Sequence, residues 1–521
     1  MRRALDVEPC ILMKMSPVSR AIACVVLLAT ICLAGADVAA QAPADQTLVA
    51  RAAEGAAALK EERFDDAAAI YGELAEQRPK DAGLLTNLGM ARYMSGQASA
   101  AIAPLQKALA LDPSRTPAWL FLGGALLDSG RVQDAVAPLR KAVAAMPDNE
   151  DAREMLARAY LTLSKYANAT TQYRALTVLQ PDRPGSWYGL ARSYEGLAEA
   201  TMNLLQAQAP DSPLLELIVA DVAVAQEKFA AALAIYRRVS AGAPPVGGLH
   251  ESIAELYERA GHADWAAAER AKIRRRTPAE CAARAAECQF LAGRIREALT
   301  AALASPTAVG RYWTIRAANR LATEAVAHLE TLPSSVELRL IRAEMAQSRG
   351  QNTEAVAEMR EAVRLAPGNP TVEIALAEAF LHAHDLKEAI PLLERLIREH
   401  PGDGSLLLML GDALVEDQQL DRAIPVLEQA TKAPDPLAQA RASLGRAYVQ
   451  AGRYEESLPF LQAAAPTDED GDVHYQLARA YQALQRPSEA AKAMAVYQKK
   501  KAQETLPSPD AAPEPVLTPP E

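Results

Sequence analysis

Prolines recur at a fixed step along this chain. Pro79, Pro113, Pro147 and Pro181 are each 34 positions apart, and the same step separates Pro210, Pro244 and Pro278 and again Pro333, Pro367 and Pro401. Proline lacks an amide proton and disfavours helix at the residue before it, so a regularly placed proline marks a regularly placed helix end. A period of this length holds one helix–turn–helix unit. One such unit cannot bury its apolar face alone, so neighbouring units must supply the core and the chain is expected to grow as an array. Composition agrees: 521 residues with 50% hydrophobic but only 5% aromatic residues carry mostly small apolar side chains, which suit many short helices better than one compact core.

Between the prolines, Trp119, Leu122, Gly123, Gly130, Ala135, Ala142 and Pro147 match Trp187, Leu190, Ala191 and Tyr194, and also Ala343, Gly350, Ala355, Ala362 and Pro367. These residues at these spacings resemble the tetratricopeptide repeat (TPR) superfamily. The resemblance covers residues 48–504, in about fourteen units. It implies an all-α fold, a TPR solenoid forming a right-handed superhelix of helix-turn-helix repeats. A small residue early in each first helix, such as Gly55, Gly89, Gly123, Ala157, Gly411 or Gly445, is expected to let the second helix approach closely. Ala101, Ala135 and Ala389 complete that contact, and large residues such as Tyr71, Leu105, Leu139 and Tyr173 are expected to fill the space between one hairpin and the next.

Three intervals break the step: Pro181 to Pro210 is 29 residues, Pro278 to Pro306 is 28 and Pro306 to Pro333 is 27. Shortened helices are expected there, with segment breaks of the array near residues 182–212 and 279–335. Two of the short units resemble each other, one running from Trp187 through Leu197-Ala198 to Pro210 and one from Trp313 through Leu321-Ala322 to Pro333.

At the N-terminus, Arg20 precedes an uncharged apolar run from Ala21 to Ala36, which has the length of a signal-peptide core and is shorter than the ~20 residues that span a bilayer. Val38-Ala39-Ala40 supplies small residues for cleavage before Gln41, so residues 1–40 read as a signal peptide and 41–47 as a linker. Asp6 and Glu8 are out of place in a positive leader and leave Met1, Met13 and Met15 as alternative starts; retention of the segment as an anchor is the alternative to cleavage. The expected location is periplasmic or secreted. Removal of residues 1–40 takes four basic and three acidic residues, leaving 51 basic against 62 acidic and a net charge of −11. So acidic a chain has no general field for a nucleic-acid backbone. It keeps only Cys281 and Cys288. On one continuous helix, these would stand about 10.5 Å apart, beyond disulfide reach, so both are expected as small buried residues.

Chemistry-bearing motifs are absent. There is no glycine-rich phosphate loop, no dinucleotide fingerprint and no H-E-x-x-H, since His250-Glu251 is followed by Ala254 where a second His would be needed. His382-Ala383-His384-Asp385 has ligand-like residues, but alternate positions on a helix do not face one direction. Arg274-Arg275-Arg276 and Lys499-Lys500-Lys501 read as positively charged helix ends. Residues 505–521, with Pro507, Pro509, Pro513, Pro515, Pro519 and Pro520, read as a disordered proline-rich tail, or as an extended ligand for a partner or a spacer to the cell envelope. No catalytic residue, cofactor or metal is expected.

The resemblance implies a non-catalytic protein-protein interaction scaffold or adaptor of the bacterial envelope, holding extended peptides or partner helices in the concave groove lined by first helices. A binding array for exopolysaccharide or a secreted substrate in an export system, and a regulatory arm of an enzyme complex, are the alternatives. The asparagine ladder of glycosyltransferase-type arrays is mostly missing: Asn87 has its place, but Phe121, Met155 and Gly189 occupy the equivalent sites. In the family, the residue after the small Gly or Ala faces the groove. In order these are Met90, Gly124, Arg158, Arg192, Asp221, Glu255, Glu287, Glu344, Glu378, Asp412, Arg446 and Arg479, with Glu251, Glu258 and Glu416 on neighbouring turns. The sign changes in blocks, and the acidic block from Asp221 to Asp412 is expected to take a basic extended segment of a partner. Partner identity and oligomeric state stay open.

Overall fold

The computed structural model describes residues 43–242, 246–433, 438–504 and 516–520. The leader read at residues 1–40 lies outside them. Among the described residues, every regular element is helical, and the chain folds as an all-α solenoid of hairpins. No described helix is long and apolar enough to cross a membrane.

A typical hairpin pairs Thr116–Asp128 with Val132–Ala145, or Gly404–Glu416 with Leu420–Ala430. Both ends of the first helix have a local cause. Two residues after the repeat proline, Asp81, Asn149, Asn369 and Asp403 cap the next helix by accepting backbone N–H bonds; Asp81 Oδ1 receives Gly83 and Leu84 at 2.8 and 3.1 Å. The helix stops where one residue takes the left-handed conformation. Glu62, Gly96, Gly130 and Ser164 do so at the 34-residue step, as do Gly350, His384, Gln418 and Gly452. At Gly130 the amide donates to the Leu127 carbonyl at 3.1 Å, and Arg131 N–H returns to Leu126 at 2.8 Å, which closes the helix end and reverses the chain.

The small residues of the first helices act as notches. A methyl group on Gly123 would overlap the Leu139 side chain, and Gly89 stands in the same relation to Leu105, Gly411 to Leu427 and Gly445 to Leu461. These leucines have no exposed surface. Leu105, Leu139, Leu427 and Leu461 therefore fill the notch of their own hairpin, a closer role than the space between hairpins expected for Leu105 and Leu139.

In the 28-residue interval the helices Pro278–Ala283, Ala285–Leu291 and Ile295–Leu303 are short, as expected; the other two irregular intervals correct the sequence reading. The 29-residue unit is one 25-residue helix, Pro184–Gln208, and the 27-residue unit is one 24-residue helix, Ala308–Thr331. The hairpin has lost its turn rather than shortened its helices. The turn position, 34 residues after Ser164, falls on Ala198, which is buried inside the first of these helices. The two long helices pack on each other. They run antiparallel, since Trp187 near the start of one meets His328 near the end of the other, with ring centroids 3.9 Å apart, while Gln208 accepts from Arg311. The two mutually similar stretches are thus packing partners.

Cys281 and Cys288 are joined in a disulfide, contrary to the expectation of two free buried residues. The helix assumed to carry both is broken at Arg284, whose φ and ψ are −125° and 51°. Pro278–Ala283 and Ala285–Leu291 are separate short helices, and the Cα atoms come within 5.5 Å.

The described residues form two compact units: one of 43–218, 246–251 and 273–333, the other of 219–242, 252–272, 334–433, 438–504 and 516–520. Each has its own hairpin core; in the second, Leu393, Leu396, Leu406, Leu427 and Leu444 are among its fully buried side chains.

Candidate partner-binding surface

The groove positions read from the sequence divide between the two units. In the first, Met90 and Gly124 are buried, and a methyl on Gly124 would come within 2.8 Å of the Tyr93 hydroxyl. Arg158 lies near Tyr93 and Asp128 with its Nε buried and without an acceptor. Burial raises the Asp128 carboxyl above its usual range, while the Tyr93 hydroxyl and Arg158 pull it back. Arg192 pairs with Glu195 at 2.9 Å. Glu251 and Glu287 converge on Arg276, at 2.8 and 3.2 Å, and Glu287 also accepts the Gly247 backbone N–H at 3.0 Å. The Glu287 side chain is 3% exposed, so this carboxylate ties the loop at Gly247 to Arg276.

In the second unit, Asp221 accepts the Tyr236 hydroxyl at 2.5 Å. Asp412 and Arg446, 34 residues apart on successive first helices, pair at 2.6 Å. Glu255 and Arg479 are exposed, and Glu344 and Glu378 half-buried. Burial raises the carboxyls of Glu378 and Asp412; for Asp412 the Arg446 charge opposes this and Glu416 adds to it. Losing solvent disfavours the charged form of Glu378, so a cation brought to that carboxylate would be favoured, whereas Asp412 already has the Arg446 charge beside it.

His384 occupies a left-handed turn, with Nδ1 2.6 Å from Glu416 Oε1. Among the described residues, no group of three or more His, Cys, Asp or Glu side chains could hold a metal ion. Arg274 pairs with Glu280 at 2.5 Å, which holds that carboxyl down at about 2.

The sequence reading did not single out Arg237 and Tyr257. These two side chains, from the helices Phe229–Ala241 and Leu249–Arg259, hold the described part of the proline-rich tail, residues 516–520. Tyr257 has the motif position of Tyr194, three residues after a small Ala, and so reads as packing only; Arg237 follows Tyr236 as Arg140 follows Leu139 and Arg174 follows Tyr173, so its position did not set it apart. The rest of the tail, 505–515 and 521, lies outside the described residues.

Two family models described as tetratricopeptide repeat match the sequence, one at residues 52–116, 315–370 and 408–472 and the other at 126–194 and 346–413, together more than half of the chain. The chain is a tetratricopeptide-repeat protein. No curated protein sequence matches it. Solved structures similar to this TPR protein include MamA, 24% identical over 29% of this chain and 83% of that chain, with a TM-score of 0.28. Another is YrrB, described as a TPR protein with an unusual peptide-binding site, 21% identical over 35% and 94% of the two chains, with a TM-score of 0.28. A TPR protein from Parabacteroides merdae is 12% identical over 64% and 99%, with a TM-score of 0.31.

Proposed function

We propose that this TPR protein is an exported, non-catalytic scaffold that holds a protein partner of the bacterial envelope against its first-helix positions. Repeats of this family present side chains from successive hairpins at one step, which suits an extended segment better than a small substrate. Export is supported by the apolar run from Ala21 to Ala36 and by the disulfide, a bond that persists in oxidising compartments. The intact mass of the mature protein should start at Gln41, and titration of the denatured, unreduced chain should find no free thiol. An intact chain starting at Met1, Met13 or Met15 in a cytoplasmic fraction, with Cys281 and Cys288 titratable as thiols, would contradict export.

The acidic positions of the second unit carry the partner chemistry. We assign them a basic, Lys- or Arg-containing extended segment, on the observation that Glu378 is a half-buried carboxylate on a first helix whose loss of solvent an incoming cation would offset. Replacing Glu255, Glu344 and Glu378 together by Gln keeps size and hydrogen bonding but removes three charges. With ion pairs each contributing about 0.5 kcal/mol, affinity for a labelled Lys/Ser peptide should fall roughly tenfold. The unmodified protein's affinity should drop steeply with salt, and the triple variant's should be nearly flat. Affinity should also weaken as pH falls through the raised Glu378 value. Equal affinity and equal salt dependence in the triple variant would exclude this assignment.

A further inference from the structure

The last described residues of the chain, Val516 to Pro520, lie on the second unit without regular secondary structure. Val516 is 80% exposed, whereas Leu517, Thr518 and Pro520 are half-buried. Three hydrogen bonds fix the segment, and all are donated by the repeats to the tail. Arg237 Nη1 donates to Thr518 Oγ1 at 2.5 Å, Arg237 Nη2 to the Pro519 carbonyl at 2.7 Å, and the Tyr257 hydroxyl to the Thr518 carbonyl at 2.8 Å.

The donors are built into the fold. Tyr257 has no exposed surface, and its ring meets Trp265 edge-on at 5.6 Å. Its hydroxyl also accepts from Arg237 Nη2 at 3.3 Å, so the guanidinium polarises the phenol that donates to the tail. Burial raises the Tyr257 phenol above its usual value, which keeps it a donor. The planar guanidinium presents parallel N–H groups, and this geometry lets one side chain reach a hydroxyl and a carbonyl of adjacent residues.

A site that offers only donors selects its ligand. An ordinary extended peptide brings backbone N–H groups that need acceptors, and these would be left unpaired on docking. Pro519 and Pro520 bring carbonyls and no N–H, and proline-containing segments are already extended before they bind. We infer that Arg237 and Tyr257 form a docking site for an extended, uncharged Leu-Thr-Pro-Pro type segment of a partner, and that the chain's own tail occupies this site in cis until such a segment displaces it. Its two donors, Arg237 and Tyr257, are not among the acidic positions. It reads carbonyls and proline where they would read positive charge.

The test uses the full chain and a fluorescein-labelled synthetic peptide with the sequence of residues 512–521. In the unmodified protein the tethered tail competes at an effective concentration on the order of mM. Replacing Leu517, Thr518 and Pro519 together by Gly removes that competitor and leaves the repeats untouched. This variant should bind the peptide about tenfold or more tightly than the unmodified chain. Adding Arg237→Ala should abolish the gain. Adding Tyr257→Phe instead removes only the hydroxyl and should weaken binding about fivefold, with helix content by circular dichroism unchanged. Equal peptide affinity in the unmodified and Gly-substituted chains would overturn the inference. So would tight binding that survives both Arg237→Ala and Tyr257→Phe.

Discussion

Replacing Gly123 by Leu should destabilise its part of the array by about 3 kcal/mol, the upper end of what overpacking costs. The first carbon of the new side chain would already overlap Leu139, and the Leu139 backbone nitrogen is 3.4 Å from it. Leu139 has no exposed surface and no open side to move into, so the second helix itself must shift. Because each repeat is stabilised by its neighbours, the loss should be local. Hydrogen exchange should speed up across residues 116–150 first, ahead of the distant repeats. Gly72→Ala is the control: its added methyl would meet only Leu88 at 4.0 Å, and in the middle of a helix alanine should be neutral or stabilising by up to about 1 kcal/mol. Unchanged protection over 116–150 in the Gly123 variant would mean that the notch is not a close helix contact.

Why Gly123 was readable in advance, and other features were not, comes down to the range of the interactions. The proline step, the notch glycines and the turns are local or act between adjacent helices, so each repeat carries the same signal. Asp81, Asn149, Asn369 and Asp403, always two residues after a repeat proline, carried a capping signal of the same local kind that went unused. The missing turn at Ala198 looked like a shortened unit because proline spacing records length and not whether a turn lies between. The pairing of Pro184–Gln208 with Ala308–Thr331 joins segments about a hundred residues apart, beyond the reach of a 34-residue period. Cys281 and Cys288 were separated only by assuming a continuous helix, and the break at Arg284 has no proline or glycine to announce it. For the groove, the first-helix register identified charged positions but not their local partners. Arg276 lies outside that register, and it is Arg276 that takes up Glu251 and Glu287.

Asp468→Ala should cost about 3 kcal/mol in the last hairpin, because it removes a buried carboxylate on which several donors converge. The Asp468 side chain is 1% exposed. Its Oδ1 accepts the backbone N–H groups of Gly471 and Val473 at 3.1 and 3.3 Å, and its Oδ2 that of His474 at 3.2 Å, while the His474 ring Nδ1 also contacts Oδ2. These amides open the helix Asp472–Ala483, so the carboxylate satisfies donors that the helix cannot satisfy itself. Burial by itself would raise this carboxyl, but the His474 ring and the amide bonds outweigh it and hold the group below its usual value. A depressed carboxyl contributes stability that is fully present above the unfolded-state value near 3.9 and is lost as pH falls through the lower folded value. The hairpin of Asp472–Ala483 and Pro487–Glu504 should therefore keep its stability from neutral pH down to about 4 and lose it below that. In Asp468→Asn, which cannot ionise, that acid limb should flatten, with part of the stability already missing at neutral pH. Hydrogen exchange over residues 472–504 as a function of pH reads both effects, and an Asn variant with the same acid limb as the unmodified protein would show that another group controls it.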